Sequence, residues 1–474
     1  MKLIIPKHKL DKLSNKAIIV MAILFQVSAF FSCKKFVQVD GPIDQVDSKV
    51  VFNSDQTAEA AVNGIYSNML VAQLQVNNSA LTIYTGLCSD ELHYYTPGLL
   101  DAFSTNKISL ANQGDIEIKF WTPLYKYIYA SNACIEGLEA SDKISEPLST
   151  QLKGEARLIR AFCYFQLVNL FGKVPLITTT DFATNSKAKR TEESAIFGQI
   201  MEDLVFAAQT LPKDPADAEK TRPGKNAARA LLSKVYLYTR QWDKAVETAT
   251  EVIGSGYQLA DPATTFLAGS SETIWQFKPV NPARNTFEAR EIVPSSGGAM
   301  PTYLLNEPFM SVFEPGDKRM SNWIASRQFA GQTIHYPYKY KIRGGAGIPQ
   351  TEYIIVFRLA EQLLIRAEAN ANLGNLSDAM TDIDKIRQRA GIALLSEDDP
   401  DISKEDLLLA IEQERKRELF VEWGNRWFDL KRTGRADAVL GALKPTWKIE
   451  AALWPVPESE ILKNANLLPQ NQGY

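Results

Sequence analysis

The chain has 474 residues, 45% hydrophobic and 23% charged, an ordinary globular composition that excludes disordered, collagen-like and multispan membrane classes. Its formal charge of −3 and its three histidines argue against a nucleic-acid partner, which needs a cationic face, and against histidine-rich metal sites. Cys33, Cys88, Cys134 and Cys163 show no C-x-x-C spacing, so zinc ribbons and thioredoxin-type redox chemistry are out. A disulfide among the last three and buried free thiols both remain open.

The first predicted element is a leader. Lys2, Lys7, Lys9, Lys12 and Lys16 precede an apolar run, Ala17 to Phe31, broken only by Gln26 and Ser28. A basic region followed by a short apolar one makes a secretory signal, and the run is too short for a comfortable membrane span. Ser32 directly before Cys33 resembles a bacterial lipobox. Residues 1–32 are therefore expected to be a signal peptide, with Cys33 lipidated as the mature N-terminus; an ordinary signal with an incidental cysteine is the bland alternative. Residues 33–55 read as a tether and 56–474 as a single domain.

Helical spacing begins after Ser54, a plausible N-cap, with Ala58, Ala61, Val62, Ile65 and Met69. Residues 71–118 are polar and aromatic with weak periodicity and read as loops plus a short helix. Helical patterns return over 120–138 and at Leu152, Ala156, Ile159, Cys163, Leu167 and Leu170, where Gly172 and Pro175 stop them. Another helix covers 196–211. Residues 226–253 read as a helical hairpin linked at Thr239–Gln241, similar to a tetratricopeptide unit. A second such hairpin lies at 358–390.

Between the hairpins, residues about 257–357 are rich in proline and glycine, with short strands expected at Thr273–Phe277 and Tyr353–Phe357. A long irregular excursion from a rigid scaffold is more often functional than idle. A helix rich in Glu and Arg follows from about Ser403 to Trp423, and its Arg415, Glu418 and Glu422 are expected to pair with neighbouring helices.

The C-terminal residues carry a resemblance. Glu414-Arg415, Glu418-Leu419, Glu422, Gly424, Arg426, Asp429-Leu430 and Arg432 are similar to the C-terminal signature of the SusD/RagB family, as are Leu453-Trp454-Pro455-Val456-Pro457 and the closing Gln470-Asn471-Gln472-Gly473-Tyr474. Ala61-Val62-Asn63-Gly64-Ile65-Tyr66, Ser89-Asp90-Glu91, Trp121, Leu124-Tyr125, Ile128 and Asn132 fit as well. The resemblance implies a mostly α fold: a tetratricopeptide-like helical scaffold with a loop-rich, ligand-binding insertion containing short strands. It further implies a lipid-anchored outer-membrane protein facing the cell exterior. Such a protein binds a nutrient, most often an oligosaccharide or polysaccharide, and delivers it to a SusC/RagA-like TonB-dependent transporter. One departure is Lys34-Lys35, where many surface-exported lipoproteins carry acidic residues.

No nucleotide-binding glycine loop, serine-hydrolase elbow or EF-hand spacing occurs, so neither an enzyme nor a cofactor or metal is expected. Sugar binding needs flat aromatic faces with polar groups beside them. Loop-borne rings free of helical spacing are Tyr94, Tyr95, Trp323, Tyr336 and Tyr338, with Asn77, Asn78 and Arg343 as hydrogen-bonding candidates. Trp121, Trp242, Trp423 and Trp427 sit at helical spacing and read as core, as does Trp275 in its strand. The expected site is therefore one face built from the loop after Glu91 and the insertion 281–350. Two alternatives stand beside glycan binding: the same kind of protein for peptide or another nutrient, and a tetratricopeptide scaffold that binds only protein, which would carry tandem repeats.

Overall fold

Ser54 caps the first long helix as its position predicts: its Oγ accepts from the Thr57 backbone N–H at 3.3 Å. The computed structural model describes residues 48–474 except 96, 97, 99, 214 and 216. The expected signal peptide, Cys33 and most of the tether lie outside the described residues. Residues Val51–Tyr474 make one compact unit.

The longer helices are α1 (Asp55–Val71), α2 (Ala80–Cys88), α3 (Thr122–Ala140), α4 (Glu146–Phe171), α5 (Glu193–Thr210), α6 (Lys225–Tyr238), α7 (Trp242–Ile253), α8 (Leu359–Leu373), α9 (Leu376–Ala390), α10 (Lys404–Leu419) and α11 (Asn425–Arg432). α1 packs on α3, and from α3 to α9 each helix packs on the next. Gly172, at φ +68°, ends α4 where the sequence expects. The two predicted hairpins are α6–α7 and α8–α9. They stack directly, although the whole excursion is inserted between them. Leu237, Ala245, Ala249, Ile365 and Ala369 form their shared core, where small alanines let the backbones approach. The Ser233 hydroxyl and the Gln362 amide oxygen add a buried hydrogen bond of 2.7 Å across the same junction.

Strands β1 (Leu92–Tyr94), β2 (Val174–Pro175), β3 (Arg190–Thr191), β4 (Thr273–Phe277), β5 (Tyr303–Leu305), β6 (Ile324–Phe329), β7 (Gln332–Pro337) and β8 (Ile354–Arg358) form four two-stranded antiparallel sheets. β4 pairs with β8 and closes the base of the excursion. Both strands are buried along their whole length, and Trp275, Phe277 and Phe357 pack edge-on around Phe162 of α4. β6 and β7 form a hairpin through Ala330-Gly331, both at positive φ, the backbone that a tight hairpin turn demands.

Three expectations need correction. Residues 71–118 hold more helix than their periodicity suggests, because all nine residues of α2 are buried and a helix buried all round shows no amphipathic stripe. α10 stops at Leu419 rather than Trp423, since Val421, Trp423 and Gly424 adopt φ of +51°, +49° and +72°. Trp423 and Trp242 are half-buried, not core, whereas Trp121, Trp275 and Trp427 are buried as expected. Cys88, Cys134 and Cys163 are buried free thiols.

The Glu/Arg run of α10 does pair with its neighbours. Arg358, at the end of β8, holds Glu272 at 2.7 Å, Glu418 at 2.5 Å and Glu422 at 2.8 Å. Arg319 holds Glu414 at 2.5 Å and Glu418 at 3.0 Å. Burial opposes the charge of Glu418, but Arg389, Arg358 and Arg319 outweigh it and hold its carboxyl well below the usual range.

Candidate functional site

Asp90 and Glu91 fix the point where the early loop meets the excursion. Asp90 receives Arg426 at 2.8 Å and Lys416 at 2.7 Å. Burial works to raise its pKa, yet these cations hold the carboxyl below its ordinary value. Glu91 has no such partner. Burial, then the charge of Asp90, push it up to about 8, and its Oε1 accepts from the Val421 N–H at 3.2 Å. The Glu91 carbonyl accepts from Asn306 N–H at 2.9 Å, and from there β1 runs antiparallel to β5, Leu92 opposite Leu305 and Tyr94 opposite Tyr303.

This pairing brings the aromatic residues together. Tyr94 lies 5.8 Å from Tyr303. Tyr95, 46% exposed, stands edge-on to Phe329 at 5.8 Å and 85°. β5 also lies beside β7, which carries Tyr336, itself 6.1 Å from Tyr338. Lys341 sits over the Tyr338 ring at 5.7 Å. The face is held by two arginines: Arg343 donates to the carbonyls of Arg290 and Val293, and Arg327 to those of Gly297 and Ala299.

Tyr94 and Tyr336 thus lie on connected strands, with Tyr95 against Phe329 and Tyr338 beside Tyr336, while Arg343 sits on the loop that follows and Trp323 and Asn77 are buried elsewhere. Trp323 is fully buried, packs against Phe266 at 5.4 Å and donates from Nε1 to the Pro262 carbonyl at 2.7 Å. It ends a short helix, Lys318–Trp323, capped by Asp317, too short to show a period in the sequence. Asn77 is also fully buried, its Oδ1 accepting from Gln166 Nε2 at 3.0 Å. Asn78 donates to the carbonyls of Leu70 and Ala72 and so shapes the turn after α1. Sequence reasoning missed Tyr303, Phe329 and Arg327. Phe329 was the most accessible of these, because it immediately precedes an Ala-Gly turn between two alternating segments.

A second hollow, of about 500 Å³, lies on the scaffold between Trp242, Leu409 and Arg435. Its walls are already committed: Arg415 pairs with Asp429 at 2.7 Å, Arg432 with Glu368 at 2.5 Å and Arg435 with Glu412 at 3.0 Å. Among the described residues no group of three or more His, Cys, Asp or Glu could hold a metal ion, and no helix is long and apolar enough to cross a membrane.

Residues 35–237 match a family model described as starch-binding, associating with the outer membrane, and residues 321–474 match the SusD family model. The chain belongs to the SusD/RagB family. It is an outer-membrane-associated glycan-binding protein and not an enzyme. The two matched spans leave out 238–320, the stretch that holds the start of the excursion. SusD-like protein P2 of Formosa agariphila is 27% identical over 92% of this chain and 96% of its own. A SusD superfamily protein from Bacteroides vulgatus shares the fold with a TM-score of 0.76 at 21% identity, covering 89% of this chain and 100% of that one. Surface glycan-binding protein A from Bacteroides fluxus does so with a TM-score of 0.73 at 22% identity over 89% and 100%. A structure described as a laminarin-binding SusD-like protein has a TM-score of 0.72 at 24% identity over 89% and 100%.

Proposed function

We propose that this SusD-like protein holds its glycan on the face formed by Tyr95, Phe329, Tyr336 and Tyr338. From there it delivers the chain to a SusC/RagA-like TonB-dependent transporter, while a lipid on Cys33 keeps it on the outer surface of the outer membrane. The observation that carries the site is Tyr95: a ring 46% exposed yet braced edge-on by Phe329. A braced, exposed ring offers a flat apolar face at little ordering cost, and half-buried tyrosines beside it supply hydroxyls for hydrogen bonds. The laminarin-binding relative of the same fold supports a glucan as one ligand. Delivery fits the family reading and needs no chemistry at the site, since Asp90 is ion-paired and Glu91 is buried.

The test is calorimetry of the protein from residue 36 onward with laminarin oligosaccharides. The Tyr95→Ala/Phe329→Ala variant should bind at least tenfold more weakly, since two stacking rings are together worth more than about 1.4 kcal/mol, with an unchanged melting temperature. Undiminished affinity places the site elsewhere. Cys33→Ala should leave the protein unprocessed or soluble, read by fractionation of cells, and a co-purifying transporter should appear when the lipidated protein is extracted.

A further inference from the structure

Most arginines of the scaffold are paired with acid, although Arg190 donates instead to the carbonyls of Lys173 and Pro469 and to Asn471. Arg160, Arg222, Arg358, Arg415 and Arg426 each hold a carboxylate within 2.8 Å. In the excursion only Arg319, buried among Asp317, Glu414 and Glu418, follows that pattern among the described residues. Arg284, Arg290, Arg327 and Arg343 make no ion pair with any described residue, in a chain whose net charge is negative. Arg327 and Arg343 donate only to backbone carbonyls, which carry no net charge, so no carboxylate offsets either guanidinium. Arg343 uses Nη1 alone in those bonds, leaving Nε and Nη2 for another acceptor.

Arg284 is the best prepared of the four. Its guanidinium lies over the Phe287 ring at 5.8 Å, beside a cleft of about 220 Å³ that Gln73 and Asn281 also line. The loop carrying it is fixed from behind. Gln350 Nε2 donates to the carbonyls of Pro279, Asn281 and Arg284 at 3.1, 2.9 and 2.9 Å. Gly345 N–H donates to the Ala283 carbonyl at 2.8 Å. Gly344, at φ +84°, lies so close that a Cβ there would come 2.7 Å from the Ala283 carbonyl and from Arg284 Cα. Such a supporting shell makes a binding group rigid before the ligand arrives.

The short helix Phe287–Ile292 joins this cleft to the aromatic face. It buries Glu288, Ala289 and Ile292, so Phe287, Arg290 and Glu291, at spacings of three and four, share its outer side. Glu291 is a carboxylate on that side, and its Oε1 is already engaged by Gln73 Nε2 at 2.6 Å. Burial, and after it the charge of Glu291, push the Tyr303 hydroxyl up. Glu288 and Glu352 also lie near but are buried, Glu352 accepting from the Lys341 and Ile342 N–H groups, so Glu291 is the one carboxylate on the outer side of this helix against four guanidiniums without an ion pair.

We propose that the ligand of this face is an anionic glycan, whose carboxylate or sulfate groups are bound by Arg284, Arg290, Arg327 and Arg343 while its rings lie on Tyr95 and Phe329. This rests on the reading of the aromatic face as the glycan site. A planar guanidinium matches either oxyanion in a two-point hydrogen bond, so the chemistry is shared and the source of the charge is a matter for measurement.

The experiment compares three oligosaccharides of equal length by calorimetry: neutral laminarin, an oligogalacturonate and a sulfated carrageenan. At least one acidic chain should bind tenfold or more tightly than laminarin at low salt, with the preference shrinking as added salt screens the charges. Binding of the sulfated chain alone, the uronate alone or both identifies the oxyanion. Arg284→Gln/Arg290→Gln removes neither carbonyl clamp, so it should melt normally, lose about tenfold for the acidic chain and leave laminarin within twofold. Tyr95→Ala/Phe329→Ala should weaken every chain that binds. The inference is overturned if neither acidic chain outbinds laminarin, or if Arg284→Gln/Arg290→Gln binds the acidic chain like the wild type. If instead Tyr95→Ala/Phe329→Ala changes no affinity, the site reading itself falls.

Discussion

Arginine meets different partners in the helical scaffold and in the excursion, and the contrast separates what holds this protein together from what it offers to solvent. In the scaffold the guanidiniums are buried and answered by carboxylates: Arg358 is 1% exposed and touches three of them. On the outer side of the excursion Arg327 and Arg343 are half-buried and answered by carbonyls, whereas Arg319, buried against the scaffold, keeps carboxylate partners. The aromatic rings follow the same division. Around Phe162 and Trp454 they pack edge-on into a core, whereas Tyr95, Phe329 and Tyr336 pack on one side and leave the other free. Full pairing gives a scaffold with one stable arrangement; partial pairing leaves binding capacity at the surface.

The sharpest way to break the comparison is to remove a scaffold arginine. Arg358→Met leaves Glu272, Glu418 and Glu422 buried together without their shared cation. Stranding a buried charge costs about 3–5 kcal/mol, and here three carboxylates are affected. The variant should lose most of its soluble yield or melt many degrees lower, read by thermal denaturation. Arg343→Met, which strands only carbonyls near the surface, should shift melting far less. Equal shifts for the two would erase the distinction.

The next effect concerns two rings that look alike in the sequence. Trp323→Ala empties a fully buried site and orphans the Pro262 carbonyl, so it should destabilise by about 3–5 kcal/mol. Tyr95→Ala should stay within about 0.5 kcal/mol of the wild type, as surface changes do, while weakening glycan binding. Melting curves of both decide it; a normal melting temperature for Trp323→Ala would return that ring to the candidate site.

Much of the scaffold is legible in the sequence because an amphipathic helix writes its buried face at every third or fourth residue. Leu152 to Leu170 in α4 does this, and so do the alanines of α7 and α8, which is why both hairpins could be read. α2 could not, since burial on every side removes the period. The candidate site is legible only in part, for a different reason. Its central step is the pairing of β1 with β5, Tyr94 opposite Tyr303, and nothing local in a three-residue strand names a partner two hundred residues away. Loop composition singles out Tyr95 and Tyr336, which the structure leaves partly exposed, but not Phe329, and it misjudges Trp323, because a ring before a strand in a proline-rich segment looks the same whether it points in or out. The arginines are a further case: only the list of their partners distinguishes Arg358 from Arg327.

A pH-dependent effect tests how the two regions are joined. Glu91 sits where β1 leaves the scaffold, buried, without a cation of its own, and pushed up to about 8 by burial and by Asp90. Its ordinary value is 4.5. A carboxyl raised in the folded state binds more protons there than in the unfolded chain between those limits. Its contribution to stability is therefore complete below pH 4.5 and is lost as pH rises through 8, by at most about 1.4 kcal/mol per pH unit. Lys339, lowered by burial to about 8 from 10.5, acts in the separate window above pH 8, where stability rises with pH. Glu91→Gln keeps an oxygen to accept from Val421 but cannot ionise. The melting temperature of the wild type minus that of Glu91→Gln should fall steadily from pH 5 to pH 7.5, with glycan affinity at pH 6 little changed in the variant. A difference that stays flat over that range would mean that Glu91 is ionised in the folded protein, and that the junction carries a charge as the scaffold does.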